Sequence, residues 1–411
     1  MVGAGIVGLS TAWHLQQWGL EVTVLERSHA GAGSSEGNAG WLSPGLVAPL
    51  PEPAVLRYGL RALLDPTSAI YVAPRLDPSL WMFLAQFVAH ATQRRWSKGV
   101  GALLALGDRS LAAYDELALG GVDLEMHAAP IVAAFERASE ARHMEAEIER
   151  LAAAGQRVEV TPLDAADARA LAPVLSERVG AALRIDGQRY VEPGAVVSAL
   201  ADSVVARGGR VVAPFAAAGI RPGDRGMTVS AAGGAEPAHG DVVVVATGAW
   251  LGRLAGELGV RKQVRAGRGY SFSVDLPAHP ARGAATCPVY LPAARVACTP
   301  HRGALRIGGG MEVRGVDDPL DTRRVDAIVH GARPLLSGID WSSLRRRWVG
   351  GRPITADGLP LVGATSLGRV YVAGGHGMWG MTLGPVTGRL LAEHVATGRR
   401  PEVLAALDPL R

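Results

Sequence analysis

The chain of 411 residues predicts an α/β fold: a Rossmann-type dinucleotide-binding domain built from discontinuous segments, joined to a second α+β domain containing an antiparallel sheet. Three observations carry this. The chain opens MVGAGIVGLSTAWHL, with Gly3, Gly5 and Gly8 in the pattern G-x-G-x-x-G directly before a helical run. The segment DVVVVATGAW, residues 241–250, runs four consecutive valines into a glycine turn, which suits a strand buried on both faces of a parallel sheet. The segment RVYVAGG, residues 369–375, reads as another buried strand and is followed by a glycine-rich turn and a long helix.

Taken in order, residues 9–18 read as a helix opening after the third glycine. EVTVLER, Glu21 to Arg27, reads as a strand ending in an acid, and HAGAGSSEGNAGWLSPG after it is too rich in turn formers to be regular. From Leu80 to about Ala154 the apolar spacing is helical, and Gly155 ends that run. Within it, LWMFLAQFVAHA contains Gln86 and His90 and is too short to span a bilayer; it reads as a core-facing helix, with a helix lying on a membrane surface as the alternative. A second α/β rhythm begins near Tyr190, with a helix from Pro193 to Gly208-Gly209 and then the strand RVVAPF. Residues 263–344 alternate short strands, YSFSV and ALRIGG among them, with turn signals, and read as antiparallel. The last helix is expected from Thr382 to about Thr397. The dinucleotide domain therefore comprises 1–50, 186–262 and 345–411, and the second domain 51–185 and 263–344. Only Met1 and Val2 stand where the first strand belongs, which usually needs about five or six residues; a start a few codons upstream is expected.

A hydrophobic content of 48% with 19% charged residues describes a globular chain, not a disordered one. The 53 glycines are scattered, which argues for tight turns and close backbone approaches. Net charge is +4. Apart from Arg345-Arg346-Arg347 the basic residues are dispersed, and that triplet reads as a solvated face or strand-edge charges; no nucleic-acid partner is expected. A modest positive field favours anionic ligands. Cys287 and Cys298 form neither a redox pair nor a metal knuckle, so both read as buried strand residues and no metal is expected. No signal-peptide pattern opens the chain, so a cytoplasmic protein is expected, or one peripheral to the inner face of the membrane.

The glycine motif has a specific physical use. The first glycine permits the tight turn, the second lets a pyrophosphate approach the backbone, and the third lets helix and strand pack closely. The phosphates then meet the helix N-terminus, whose N–H groups and dipole favour negative charge. Ile6 and Val7 complete that turn. Glu26, eighteen residues past Gly8, is placed to bond the adenosine ribose, with Arg27 beside it. An acid there disfavours a 2′-phosphate, leaving FAD or NAD. A second glycine cluster, GGHGMWGMTLGP from Gly374 to Pro385, opens the last helix. A second helix N-terminus aimed at the far end of the cofactor suits a flavin, which gains negative charge on reduction.

With these pieces assembled, the chain resembles the D-amino acid oxidase superfamily of FAD-dependent amine oxidoreductases, and within it the bacterial D-amino acid dehydrogenase branch. The resemblance spans nearly the whole length. It rests on VGAGIVGLSTAWHL, SSEGNAGWLSPG, GRGYS, GGRPITADGLPLVG and GHGMWGMTLG. It implies that Ser34, Ser35, Asn38, Ala39 and Gly40 line the pyrophosphate and flavin, that Ala217 meets the adenine through its backbone, and that Thr247 and Gly248 pack on the adenosine half. It places Gly375, His376, Gly377, Gly380 and Thr382 at the flavin's pyrimidine end, Arg352 as anchor of the substrate carboxylate, and Tyr270 in the strand facing the flavin. Arg352, Tyr270 and His376 are thus the candidate catalytic residues. The chain departs from the branch at Glu36-Gly37, where an aromatic residue and alanine are usual, and at Arg268, Gly351 and Ala356. No cysteine occurs in GGRPITADG, the segment through which monomeric sarcosine oxidases tether flavin, so non-covalent FAD is expected.

On its own chemistry, Arg352 offers a planar guanidinium that grips a carboxylate in two parallel charge-assisted bonds; pairing with a structural acid such as Asp357 is the alternative. His376 reads as a general base or, in a glycine-rich loop, as a hydrogen-bonding or packing residue. The resemblance implies oxidative deamination of a D-amino acid, D-proline or hydroxy-D-proline included, by hydride transfer to flavin N5, giving an imine that hydrolyses to the 2-oxo acid. The alternatives are a secondary-amine oxidase of the glycine/sarcosine type and a FAD subunit of a heteromeric amine dehydrogenase. The partners implied are a small amino acid and an electron acceptor: oxygen, a quinone or an electron-transfer protein.

Overall fold

The computed structural model describes residues 1–53, 65, 67–224, 226–276 and 285–411. The dinucleotide-side sheet is assembled from the start, middle and end of the chain. Thr23–Leu25 pairs in parallel with Arg210–Val212, and Val243–Val245 pairs in parallel with Val370–Gly374, which also carries antiparallel Leu361–Ala364. Val2 alone joins the two halves, bridging Leu25 on one side and Val245 on the other, both in parallel. Its N–H donates to Val244 O and its carbonyl accepts from Ala246 N, both at 2.8 Å. The central strand is thus one bridging residue: its own N–H and carbonyl pair with the Val243–Val245 side, while Met1 O and Gly3 N pair with Leu25 on the other, each at 2.8 Å.

The helix Ile6–Gln17 is buried from Gly8 to Leu15, so it lacks the usual split between a wet and a dry face. It lies between the helices Pro193–Ala206 and Gly380–Thr397. A Cβ at Gly388 would stand 2.6 Å from Thr11 N, which shows how closely the first and last helices approach.

The second sheet runs, edge to edge, Asp340–Thr355, Val264–Asp275, Ala304–Val313, Val296–His301, Val289–Leu291, Ile131–Phe135, Ala181–Ile185 and Val160–Leu163, with Ile70–Val72 added on Ala304–Val313. Its pairings are antiparallel except two, Val289–Leu291 with Ile131–Phe135 and Ile70–Val72 with Met311–Val313. The helix Thr322–Ala332 covers one face through Val325 and Ile328. The outer strand Asp340–Thr355 runs across the expected 344/345 domain boundary, so one continuous strand serves both layers. Arg345, Arg346 and Arg347 lie exposed on this edge strand, with Arg345 paired to Asp275, as strand-edge charges that also discourage edge-to-edge pairing.

Three expectations need correction. The helical span from Leu80 to Ala154 is interrupted: helices occupy Pro78–His90, Gln93–Leu119 and Ala138–Ala153, while Met126–Ala128 and Ile131–Phe135 are strands. Five consecutive apolar residues, IVAAF, fit either state locally, and pairing on both sides decides for strand. The helix Pro78–His90, capped by Asp77, buries only Leu80 and Phe83, while Trp81, Met82 and Val88 are 53%, 57% and 51% exposed. It is not the core-facing helix expected. Both cysteines are buried and free, but Cys287 precedes the strand Val289–Leu291 and only Cys298 lies within one. No helix among the described residues is long and apolar enough to cross a membrane.

Candidate active site

One cavity of about 1140 Å³ runs between the two sheets. It exceeds the usual roughly 300–1,000 Å³ of a single-ligand pocket, so a dinucleotide and a small substrate can share it. The opening motif forms one wall. Gly3 has φ +103, and a Cβ there would stand 2.5 Å from Ala246 O; one at Gly8 would collide with Gly3 O; one at Gly5 would meet only Ser35 Oγ, at 3.4 Å. The first and third glycines are therefore needed for backbone packing, and the second leaves room for a phosphate. Ile6 N donates to Ser35 Oγ at 3.2 Å. Glu26 lines the cavity and accepts from Ala4 N at 2.8 Å and Ser28 N at 3.0 Å, which fixes its carboxylate at the end of the turn.

The loop after that strand is stitched to the second sheet. Asn38 Oδ1 accepts from Gly40 N at 2.8 Å, Ala39 O from Thr299 Oγ1 at 2.7 Å, and Gly37 O from Ser271 Oγ at 2.9 Å, while Ser34 Oγ donates to Gly351 O. Beside Glu26, Ala217, Thr247 and Gly248 line the cavity together with Arg27 and Trp250. At the far end Gly377, His376, Gly380 and Thr382 line it, and the helix Gly380–Thr397 begins there. Gly375 lies beside this wall at φ +77, close to Thr355. Thr382 Oγ1 donates to Trp41 O and accepts from Ser43 N, both at 3.2 Å.

The residues fit a flavin dinucleotide. Thr247 Oγ1 is buried on this wall with no partner among the described residues, the state of a hydroxyl that awaits a ligand. Gly248 and Gly377, both at φ +56, have no atom within 4 Å of where a Cβ would be, so each leaves a space beside the cavity. Helix N-termini at Ile6 and Gly380 meet the cavity from its two sides and supply the positive ends that a pyrophosphate and a reduced flavin ring require.

Arg352 borders the cavity from the strand Asp340–Thr355. Its Nη1 donates to Gly310 O at 2.6 Å, and no carboxylate of the described residues pairs with it. Asp357, the alternative partner, is taken instead by Arg411 and Lys262. Burial pushes the guanidinium down to about 10, which leaves it charged at neutral pH. A Cβ at position 269 would collide with the guanidinium, so any residue other than glycine there displaces the Arg352 head from its place.

His376 is buried, its Nε2 lies 3.0 Å from Thr387 Oγ1, and burial pushes the imidazole down to about 4. The ring is neutral and tied to the last helix, as a packing and hydrogen-bonding residue. Tyr270 also lines the cavity. Its ring is 1% exposed in the core with Phe272 and Val274, and its hydroxyl donates to the buried carboxylate of Glu312. Strand alternation sends Tyr270 to the face opposite Gly269 and Ser271. Ser271, on that opposite face, holds the Gly37 carbonyl and so also reaches the cofactor loop; counting from Gly269 in steps of two finds it.

Trp348 was also missed. It shares a strand face with Gly350 and Arg352, all three on the cavity wall. A Cβ at Gly37 or at Gly350 would fall inside the Trp348 indole. The unusual Gly37 is thereby explained as the space the indole occupies.

Two glycine turns, two helix N-termini, an acid at the end of the second strand and a lone arginine across the cavity define a FAD-dependent oxidoreductase. The chain belongs to the DAO family, whose model, described as FAD dependent oxidoreductase, matches residues 1–394. Among curated relatives, the D-amino acid dehydrogenase of Xanthobacter autotrophicus is 31% identical over 407 residues, covering 98% of this chain and 96% of that protein. The D-amino acid dehydrogenase of Agrobacterium fabrum is 28% identical over 410 residues, covering 98% and 96%. Among solved structures, glycine oxidase from Geobacillus kaustophilus superposes with a TM-score of 0.75 at 22% identity, covering 100% of this chain and 97% of that one. L-proline dehydrogenase from P. horikoshii gives 0.72 at 17% identity, covering 100% and 96%. These structural likenesses establish the fold.

Proposed function

We propose that the protein oxidises the Cα–N bond of a D-amino acid, delivering the electrons to an acceptor other than the substrate. The observation that carries this reading is Arg352: a charged guanidinium at the cavity wall with one donor spent on Gly310 O and no acid to neutralise it. A buried charge left unpaired is costly, and an incoming carboxylate removes that cost. The names of the curated relatives support the D configuration.

Arg352 fixes the carboxylate in two parallel bonds, and Gly269 lets the guanidinium lie flat against its strand. The substrate then has one orientation, and orientation supplies much of the rate. FAD, when bound, supplies the hydride acceptor. The N-terminus of Gly380–Thr397 offers its positive end where negative charge develops. His376, neutral and tied to Thr387, takes no proton in this scheme.

The exposed apolar stripe of Pro78–His90, with no acid in that helix and exposed Arg94, Arg95 and Lys98 just beyond it, supports peripheral contact with an anionic bilayer. An acceptor dissolved in that bilayer, such as a quinone, is then within reach.

Anaerobic mixing of the purified FAD-loaded chain with a panel of D-amino acids, D-proline and hydroxy-D-proline included, tests the proposal. Bleaching of the flavin absorbance by D- but not L-substrates is expected. No bleaching by any D-substrate would sink it, and rapid peroxide release with sarcosine would assign the glycine/sarcosine chemistry instead.

A further inference from the structure

Asp317, in the connection between the strand Ala304–Val313 and the helix Thr322–Ala332, stands outside every role given above. Its carboxylate gathers three side chains from elsewhere in the sequence. Trp250 Nε1 donates to Oδ1 at 2.9 Å, Arg253 Nη2 donates to Oδ2, and Arg27 Nη1 stands 3.5 Å from Oδ1. Arg27 also lies over the Trp250 indole, its Cζ 4.1 Å from the ring centroid. Arg27, Trp250 and Arg253 all line the cavity, beside Glu26, Thr247 and Leu254. A Cβ at Gly33 would sit 3.6 Å from the Trp250 ring, so the indole also closes on the turn that follows Glu26. Val316, next to Asp317, packs toward Ala249 and Gly351 from the other side.

We propose that Asp317 is a latch over the adenosine end of the FAD channel, holding Trp250, Arg27 and Arg253 closed across it. The chemistry suits the ligand. Two guanidiniums face a pyrophosphate-bearing cofactor, and the indole offers a flat apolar cover to the ribose and adenine. Asp317 keeps both guanidiniums and the indole N–H in one arrangement without entering the cavity itself. With the latch open, the cover has no fixed position and the cofactor leaves through the gap. Its three charged groups are partly exposed, at 51% for Asp317, 46% for Arg27 and 61% for Arg253, so the latch weakens as salt screens it. Retention of FAD is thereby made sensitive to ionic strength at a place remote from Arg352. The inference rests on FAD binding and is independent of which amine is oxidised.

The test follows release of FAD from the loaded full-length chain, by the rise of free-flavin fluorescence, at low and at high salt. Asp317→Ala is expected to release FAD about fivefold faster at low salt, and to lose most of the salt dependence seen in the parent protein. Asp317→Asn keeps an acceptor for Trp250 but loses the charge, and is expected to fall between the two. The melting temperature of the FAD-free protein is expected to be the same in all three. Release rates and salt dependence equal to the parent's in Asp317→Ala overturn the latch. So does an equal drop in the melting temperature of the FAD-free and FAD-loaded forms, which assigns Asp317 to general stability.

Discussion

At the residue scale, Arg352 shows how one side chain becomes a site by being denied a partner. Four other arginines, Arg345, Arg411, Arg189 and Arg389, pair with Asp275, Asp357, Asp115 and Glu116, whereas Arg352 is held by a carbonyl alone. Arg352→Lys keeps the charge and loses the two-pronged grip. The expected result is a KM for the amino acid raised on the order of tenfold to a hundredfold, one charge-assisted bond's worth, with kcat changed less; steady-state kinetics measure it, and an unchanged KM rejects the anchor. Gly37 is the second such case. Gly37→Ala drives a methyl into the Trp348 indole, and the strain is expected to cost about 1–3 kcal/mol, read as a lower melting temperature and weaker FAD binding in a flavin titration. The motif residues Gly3, Gly5, Gly8 and Glu26 were legible because the turn they build is local. Tyr270 lines the cavity, but its bond to Glu312 depends on which strand pairs beside its own and in what register, and nothing in GRGYS says that.

At the scale of elements, the short segments were the ones misread. IVAAF looked helical inside a helical stretch and became a strand because Ala181–Ile185 and Val289–Leu291 stand on either side of it. The helix Pro78–His90 reads as a core-facing helix, but the core fully buries only Leu80 and Phe83, with Leu84 and Phe87 packed partly buried beside them. Trp81, Met82 and Val88 stay in the open, flanked by Arg94 and Arg95. That face is expected to carry the protein onto vesicles rich in anionic lipid, and Trp81→Glu is expected to abolish most of that binding while leaving FAD content unchanged. Co-sedimentation measures it; equal binding by the variant, or none by the parent, rejects the surface role. The last helix ends at Thr397 as expected but starts at Gly380, two residues before the expected Thr382, where the glycine cluster meets the cavity.

At the scale of the whole molecule, the buried histidines set the response to acid. Burial pushes His376 down to about 4, and pushes His14 down to about 3 with the positive charges of Arg389 and Arg207 adding to it. Both therefore stay neutral in the folded protein at a pH where the unfolded chain has begun to protonate near 6.5. Between those values the unfolded state binds more protons, so stability rises with pH and is lost as pH falls from about 6.5 toward 4. For His376 the full loss is on the order of 3 kcal/mol. Thermal melts between pH 7 and 4.5 are expected to show a falling melting temperature, with His14→Gln flattening part of the slope; a parent melting temperature constant across that range contradicts the assignment. The sequence by itself determined the flavin turn, the split of the dinucleotide domain and the buried parallel strands, because each depends on residues adjacent in the chain and on backbone geometry that few residue types can adopt. Only the tertiary structure decided that Val2 alone bridges the two halves of the central sheet, that Arg352 has no acid beside it, that Ser271 and Trp348 border the cofactor loop, and that Asp317 reaches Trp250, Arg253 and Arg27. Those relations join residues 23 to 311 positions apart or depend on strand register, and no local pattern encodes which of two faces, or which of many distant charges, packing will bring together.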